Sequence, residues 1–123
     1  MKILIVDDED DIRRIAGLSL TRLGGMEVVE ASSGADAVRT AEEEKPDAIL
    51  LDMMMPLMDG PATLTALRNN AATAGIPVIF LTAKAMKTDV ERLKAMGAAG
   101  VLIKPFDPAS LAAQVRSVLK GPS

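Results

Sequence analysis

Five acids in succession, Asp7-Asp8-Glu9-Asp10-Asp11, follow directly on the apolar run 3–6. A single acid, Asp52, closes the apolar run 48–51. Thr82 closes the run 78–81, and Lys104 follows the run 100–103. If each run is a strand of one parallel sheet, all of these side chains lie beyond its carboxyl edge, where open α/β sheets bind their ligands. Crowded carboxylates repel one another unless a cation is present. Hard oxygen donors without imidazole or thiolate suit Mg²⁺, or else Mn²⁺. Coordination positions left to water would then accept phosphoryl oxygens. The Lys104 ammonium would meet their charge and the Thr82 hydroxyl would donate a hydrogen bond. A carboxylate can itself be the nucleophile, forming an aspartyl-phosphate.

Each feature alone has a plainer reading. Asp7-Asp8 could be a solvated turn, Asp52 an acid after a strand, and Lys104-Pro105 a turn. Their joint arrival at one sheet edge is what those readings leave unexplained. Glu9, Asp10 and Asp11 read as acids at a helix start, favoured by the macrodipole. The run Met53-Met54-Met55 reads as loop packing, and Phe106 as a core plug.

Composition narrows the chemistry further. The chain has 123 residues, no Cys and no His, so disulfides, thiolate nucleophiles and imidazole bases are excluded. Phe80 and Phe106 are its only aromatics, which argues against base stacking. The net charge of −3 becomes +2 once the five successive acids are set aside, so one acidic spot outweighs a slightly basic body. That balance offers no general nucleic-acid surface, and no direct nucleic-acid contact is expected. No run of about 18 apolar residues and no cationic leader is present, so no membrane span and a cytoplasmic location are expected.

The elements that must position these residues alternate. Residues 2–6 read as a buried strand. The spacing from Ile12 to Leu23, stopped by Gly24-Gly25, predicts an amphipathic helix. Residues 27–31 read as a more polar strand near a sheet edge. Ser33 predicts a helix cap, with the helix running to about Glu44 before Pro46. A strand over 48–52, a loop over 53–60 and a helix from Pro61 to about Asn70 follow. Residues 77–82 predict a strand, and Thr88-Asp89-Val90-Glu91 a capping box for a helix ending at Gly97. Residues 100–103 predict the last strand, and Asp107 caps a last helix with Pro108 in its first turn. Continuous apolar strands indicate a parallel sheet covered on both faces, a three-layer α/β sandwich. One domain over 1–120 with a short tail, 121–123, is expected.

KILIVDDE, LLDMMMPLMDG, VIFLTA and GVLIKPF together resemble the receiver domain of bacterial two-component response regulators, over nearly the whole chain. The resemblance implies a flavodoxin-like (βα)5 fold with strand order 2-1-3-4-5. It implies Asp52 as phosphoacceptor, and Asp7 and Asp8 as the acidic pair of a Mg²⁺ site. Asp8, Asp52 and the Met54 carbonyl would be the direct ligands. Thr82 resembles the switch hydroxyl and Lys104 the phosphate-contacting lysine, with a Lys104-Pro105 bond that is often cis in relatives. The implied function is a phosphorylation-activated switch, not a conventional enzyme, charged by a histidine kinase or histidine phosphotransfer protein. Its downstream target would bind the face of the fourth helix, fifth strand and fifth helix, through which relatives often form homodimers.

Departures from the family pattern carry their own expectations. Val101 stands where relatives usually carry an aromatic residue, so an aromatic switch cannot operate there. Met54 and Lys84 occupy positions that tune phosphoryl lifetime, and neither positions a water as an acid or amide would; slow self-dephosphorylation is expected. The segment Gly97-Ala98-Ala99-Gly100 lacks the paired acids common in winged-helix transcription regulators, which disfavours that group. A hydrolase working through aspartyl-phosphate would normally carry an acid where Met54 stands. Flavin binding is disfavoured by the lack of Trp and Tyr.

Overall fold

A computed structural model describes residues 1–83 and 86–120. Five strands form one parallel sheet in the order β2-β1-β3-β4-β5, the implied order. The strands are β1 (Lys2–Val6), β2 (Glu27–Ala31), β3 (Ala48–Asp52), β4 (Val78–Thr82) and β5 (Gly100–Ile103). The helices are α1 (Asp10–Leu18), α2 (Gly34–Glu44), α3 (Gly60–Arg68), α4 (Lys87–Ala95) and α5 (Leu111–Lys120). The polar strand β2 lies at an edge, as its composition predicts.

Alternation along the central strands divides two cores. Leu4, Val6, Ile49, Leu51, Val78 and Phe80 pack with Ala37, Ala41, Leu64, Leu67 and Leu93, so α2, α3 and α4 cover one face. Ile3, Ile5, Leu50, Ile79 and Leu81 pack with Ala16, Leu20, Leu111, Ala112 and Val115, so α1 and α5 cover the other. Burial on both faces is why the strands read as unbroken apolar runs. No helix among the described residues is long and apolar enough to cross a membrane.

Helix starts and stops follow local chemistry in part. Ser33 accepts the Asp36 N–H and Asp59 the Ala62 N–H, each capping its helix. The predicted capping box at Thr88 does not form. The chain enters α4 from Met86, whose carbonyl accepts the Val90 N–H, so Thr88 lies inside the first turn. Asp107 accepts the Ala109 N–H, but it caps a turn, and regular α5 begins at Leu111. The first helix also departs from its single predicted span. It passes at Ser19 into a π-helical turn, Ser19–Leu23. The predicted apolar face is also only partly buried: Ala16 and Leu20 are in the core, whereas Ile15, Leu18 and Leu23 are exposed. The methionine run divides as well: Met55 is buried and Met53 packs on the core, whereas Met54 is 77% exposed. Phe106 is only half-buried, packed on the margin of the core beneath α1 and α5. The tail over 121–123 lies outside the described residues.

Candidate functional site

Strand register builds the site. Val6 pairs with Leu51, so Asp7 and Asp52 follow side by side on neighbouring strands. Thr82 pairs with Ile103, so Lys104 emerges beside the end of β4, and its N–H donates to the Thr82 carbonyl at 2.8 Å. Asp7, Asp52 and Lys104 continue the rows of Ile5, Leu50 and Leu102, the side of the sheet under α1 and α5. Thr82 belongs to the opposite row, that of Val78 and Phe80. It closes β4 from the side covered by α2, α3 and α4.

Lys104 Nζ donates to Asp7 Oδ2 at 2.8 Å and to Asp52 Oδ1 at 3.1 Å. The two carboxylates are almost wholly withdrawn from water, Asp7 at 0% and Asp52 at 5% exposure. Burial, then the neighbouring Asp7 charge, pushes the Asp52 carboxyl above its ordinary range, against the opposing pull of Lys104 and the Met54 N–H. For Lys104 burial acts to lower the ammonium, but the bonds and charges of Asp7 and Asp52 outweigh it and hold it above the usual lysine value. The lysine is therefore a fixed positive charge between two acids.

Asp8 completes the group. Carboxylate oxygens of Asp7, Asp8 and Asp52 all lie within 4.8 Å of one another, with Asp8 exposed and the other two buried. Three hard oxygen donors, one of them open to water, fit Mg²⁺ or Mn²⁺, which retain water ligands. The Met54 N–H donates to Asp52 Oδ1 at 3.4 Å, so the loop residue expected to offer its carbonyl sits against the same acid. The Lys104-Pro105 peptide is cis. Val101 packs on the margin of the core and lines a groove of about 400 Å³ with Val90, Lys94 and Val118, between α4 and α5. Lys84 lies outside the described residues.

Two supporting residues are not singled out by sequence reasoning. Arg13 donates to the Asp7 carbonyl at 2.6 Å, holding the turn that carries the acid pair. It lies four residues beyond Glu9, one helical turn, and that is its only sequence signal. Gly60 opens α3 where a Cβ would stand 2.7 Å from the Asp52 carbonyl oxygen and 2.8 Å from Phe80 Cε1. Only glycine lets the helix start approach the end of β3 so closely. The Asp59-Gly60 pair, ahead of Pro61, hints at this.

The response regulator receiver domain family matches residues 3–116. The chain belongs to that family. It is 43% identical to the transcriptional regulatory protein PrrA of Mycobacterium tuberculosis, over 97% of this chain and 50% of that protein. It is 39% identical to the alkaline phosphatase synthesis transcriptional regulatory protein PhoP of Bacillus subtilis, over 97% and 48%. The chain thus spans about half the length of these curated relatives. Among solved structures, the chemotaxis protein CheY4 of Vibrio cholerae is 33% identical with a TM-score of 0.88, covering 95% of this chain and 97% of that one. A response regulator from Chloroflexus aurantiacus is also 33% identical, with a TM-score of 0.85 and 97% of both chains covered. Membership places this receiver domain among the signalling modules of two-component systems rather than conventional enzymes. The segment Gly97–Gly100 does not separate it from proteins named as transcriptional regulators, since those are among its relatives.

Proposed function

We propose that this receiver domain is a phosphorylation-dependent switch that accepts a phosphoryl group on Asp52. The observation that carries the reading is the Lys104 ammonium held against Asp7 and Asp52, with Asp8 in the same carboxylate group. The donor is a phosphohistidine on a histidine kinase or histidine phosphotransfer protein. An Asp52 carboxylate oxygen attacks phosphorus in line, the new O–P bond forms, and the electron pair of the broken P–N bond returns to the imidazole. Lys104, already beside Asp52, neutralises the charge on the transferred group. Asp7, Asp8, Asp52 and the Met54 carbonyl would hold Mg²⁺, or Mn²⁺, which when bound supplies further positive charge for the phosphoryl oxygens.

Thr82 closes β4 beside this site and donates its hydroxyl to the phosphoryl group. That contact draws on the segment between β4 and α4 and biases the surface of α4, β5 and α5. A target that binds one state of that surface better reads the signal. Val101, which lines a groove on that surface, has no aromatic ring to swing between two positions, so the signal passes through Thr82 and backbone shifts instead. Two copies could pair through the same face.

Intact mass after incubation with Mg²⁺ and acetyl phosphate tests the reading. One phosphoryl adduct is expected, lost in Asp52→Asn and lost without Mg²⁺. An adduct that survives in Asp52→Asn would place the chemistry elsewhere.

A further inference from the structure

Five polar or charged side chains are buried among the described residues: Asp7, Ser19, Asp52, Thr63 and Thr73. Asp7 and Asp52 form the site. Thr63 and Thr73 donate to nearby carbonyls, of Asp59 and Leu67, within or just past their own helix. Ser19 differs. Its hydroxyl donates to the carbonyl of Pro108, 89 residues away in the chain.

That bond joins two features that sequence alone does not connect. Ser19 is the first residue of the π-helical turn, where the first helix leaves α geometry. Such turns are rare and are frequently found at functional sites. Pro108 lies four residues after Lys104, in the segment that joins β5 to α5. Pro105 and Pro108 each restrict φ in that segment, which limits how far it can flex between the lysine and the tether.

A second contact clasps the turn to α5. Arg116 donates to the Gly24 carbonyl. Gly24 has no room for a Cβ, which would stand 2.6 Å from the Leu20 carbonyl oxygen and 2.7 Å from Ala112 Cβ. The other end of the same helix is tied to the acids, because Arg13 donates to the Asp7 carbonyl. The first helix therefore holds the acid turn through Arg13 and the lysine segment through Ser19. It acts as the spacer between the ammonium and the carboxylates it bridges.

We propose that Ser19 is a positioning residue for Lys104: through the Pro108 carbonyl it sets the reach of the ammonium onto Asp7 and Asp52. The inference rests on the reading of Asp52 as phosphoacceptor and names a residue of that reaction that never touches the phosphoryl group. Displacement of a charge by a fraction of an ångström is enough to slow a positioned reaction.

The test compares Ser19→Ala and Ser19→Thr, each with Lys104 and with Lys104→Ala. The rate of adduct formation from acetyl phosphate and Mg²⁺ is followed by intact mass. Ser19→Ala should slow acceptance by roughly tenfold when Lys104 is present. Ser19→Thr, which keeps the hydroxyl, should restore most of the rate. In the Lys104→Ala background, Ser19→Ala should cost nothing further. An equal loss in both backgrounds, or no loss with Lys104 present, overturns the proposal. Should Ser19→Ala not fold, Ser19→Cys keeps the volume with a weak donor and is read in the same way.

The nitrogen-15 resonance of the Lys104 ammonium gives a readout free of phosphoryl chemistry. An ammonium held by two buried carboxylates exchanges its protons slowly, so the signal should be present in the unaltered chain and broaden in Ser19→Ala. An unmoved signal also overturns the proposal. If the chain took no phosphoryl group at all, the reading of Asp52 would fail, and the resonance would still decide the role of Ser19.

Discussion

Lys104 lies closer to Asp7, at 2.8 Å, than to Asp52, at 3.1 Å, although Asp52 is the acid proposed to react. The fully buried Asp7 is the firmer anchor. Its carboxylate also accepts the Glu9 N–H at 2.9 Å, and its carbonyl accepts Arg13. Asp7 would thus hold the ammonium in place while Asp52, in the proposed reaction, passes from a carboxylate to an acyl phosphate. Removing one member of such a buried group leaves the others uncompensated. Lys104→Met should destabilise the metal-free chain by about 3 kcal/mol in urea unfolding, the low end for a buried pair because the lysine keeps some exposure, and millimolar Mg²⁺ should recover part of the loss.

Mg²⁺ should raise the melting temperature of the unaltered chain, because a ligand that binds only the folded state stabilises it. Asp8 is the exposed acid of the group, so its removal relieves repulsion without opening a cavity. Asp8→Ala should therefore melt slightly higher than the unaltered chain without metal, and lose most of its response to Mg²⁺. Equal melting of the unaltered chain with and without millimolar Mg²⁺ would contradict the metal site.

The raised pKa of Asp52 gives a pH dependence with a definite sign. Burial and then the Asp7 charge favour its protonated form in the folded chain. The stability associated with that proton is fully present below the ordinary carboxylate pKa of 3.8 and is lost as pH rises through the higher folded value. Asp52→Asn has no such proton to lose. Its stability relative to the unaltered chain should grow from acid towards neutral pH in metal-free buffer. Urea unfolding at a series of pH values measures the gap, and a gap that shrinks as pH rises would show the opposite shift.

Met54 donates its backbone N–H to Asp52 yet leaves its side chain 77% exposed, so the side chain can be replaced without disturbing the core. A thioether cannot hold an attacking water by hydrogen bonds as an amide can. Met54→Asn should speed loss of the phosphoryl group severalfold with little change in melting temperature. An unchanged decay rate, followed by intact mass after removal of the donor, rejects a role for this position in phosphoryl lifetime.

Gly60 is a structural requirement that the same site imposes on the core. A Cβ there would press on the Asp52 carbonyl oxygen at 2.7 Å and on Met53 Cα at 2.9 Å, neither of which can swing aside like a side-chain tip. Gly60→Ala should destabilise by about 1–3 kcal/mol and slow phosphoryl acceptance. Thermal melting and adduct formation check the two effects together.

Much of this protein is determined locally. Apolar runs that are buried on both faces, such as Ile3–Val6 and Ala48–Leu51, declare a covered parallel sheet in one dimension, because every residue of such a strand must leave water. The acids, hydroxyl and lysine that close those runs are legible for the same reason: the end of a parallel strand is where the backbone leaves the core. Which of them touch is another matter. The pairings of Val6 with Leu51, Asp52 with Leu81 and Thr82 with Ile103 arise from long-range register, and they bring the end of β5 beside the acids, so that Lys104 bonds to Asp7, 97 residues away. Thr88 shows the limit of local signals, since its capping pattern yields to the path by which the chain enters α4. Ser19 shows what they omit. A buried hydroxyl in a helix carries no mark of its partner, and only the packing of the π-helical turn against the segment after β5 supplies the Pro108 carbonyl that satisfies it.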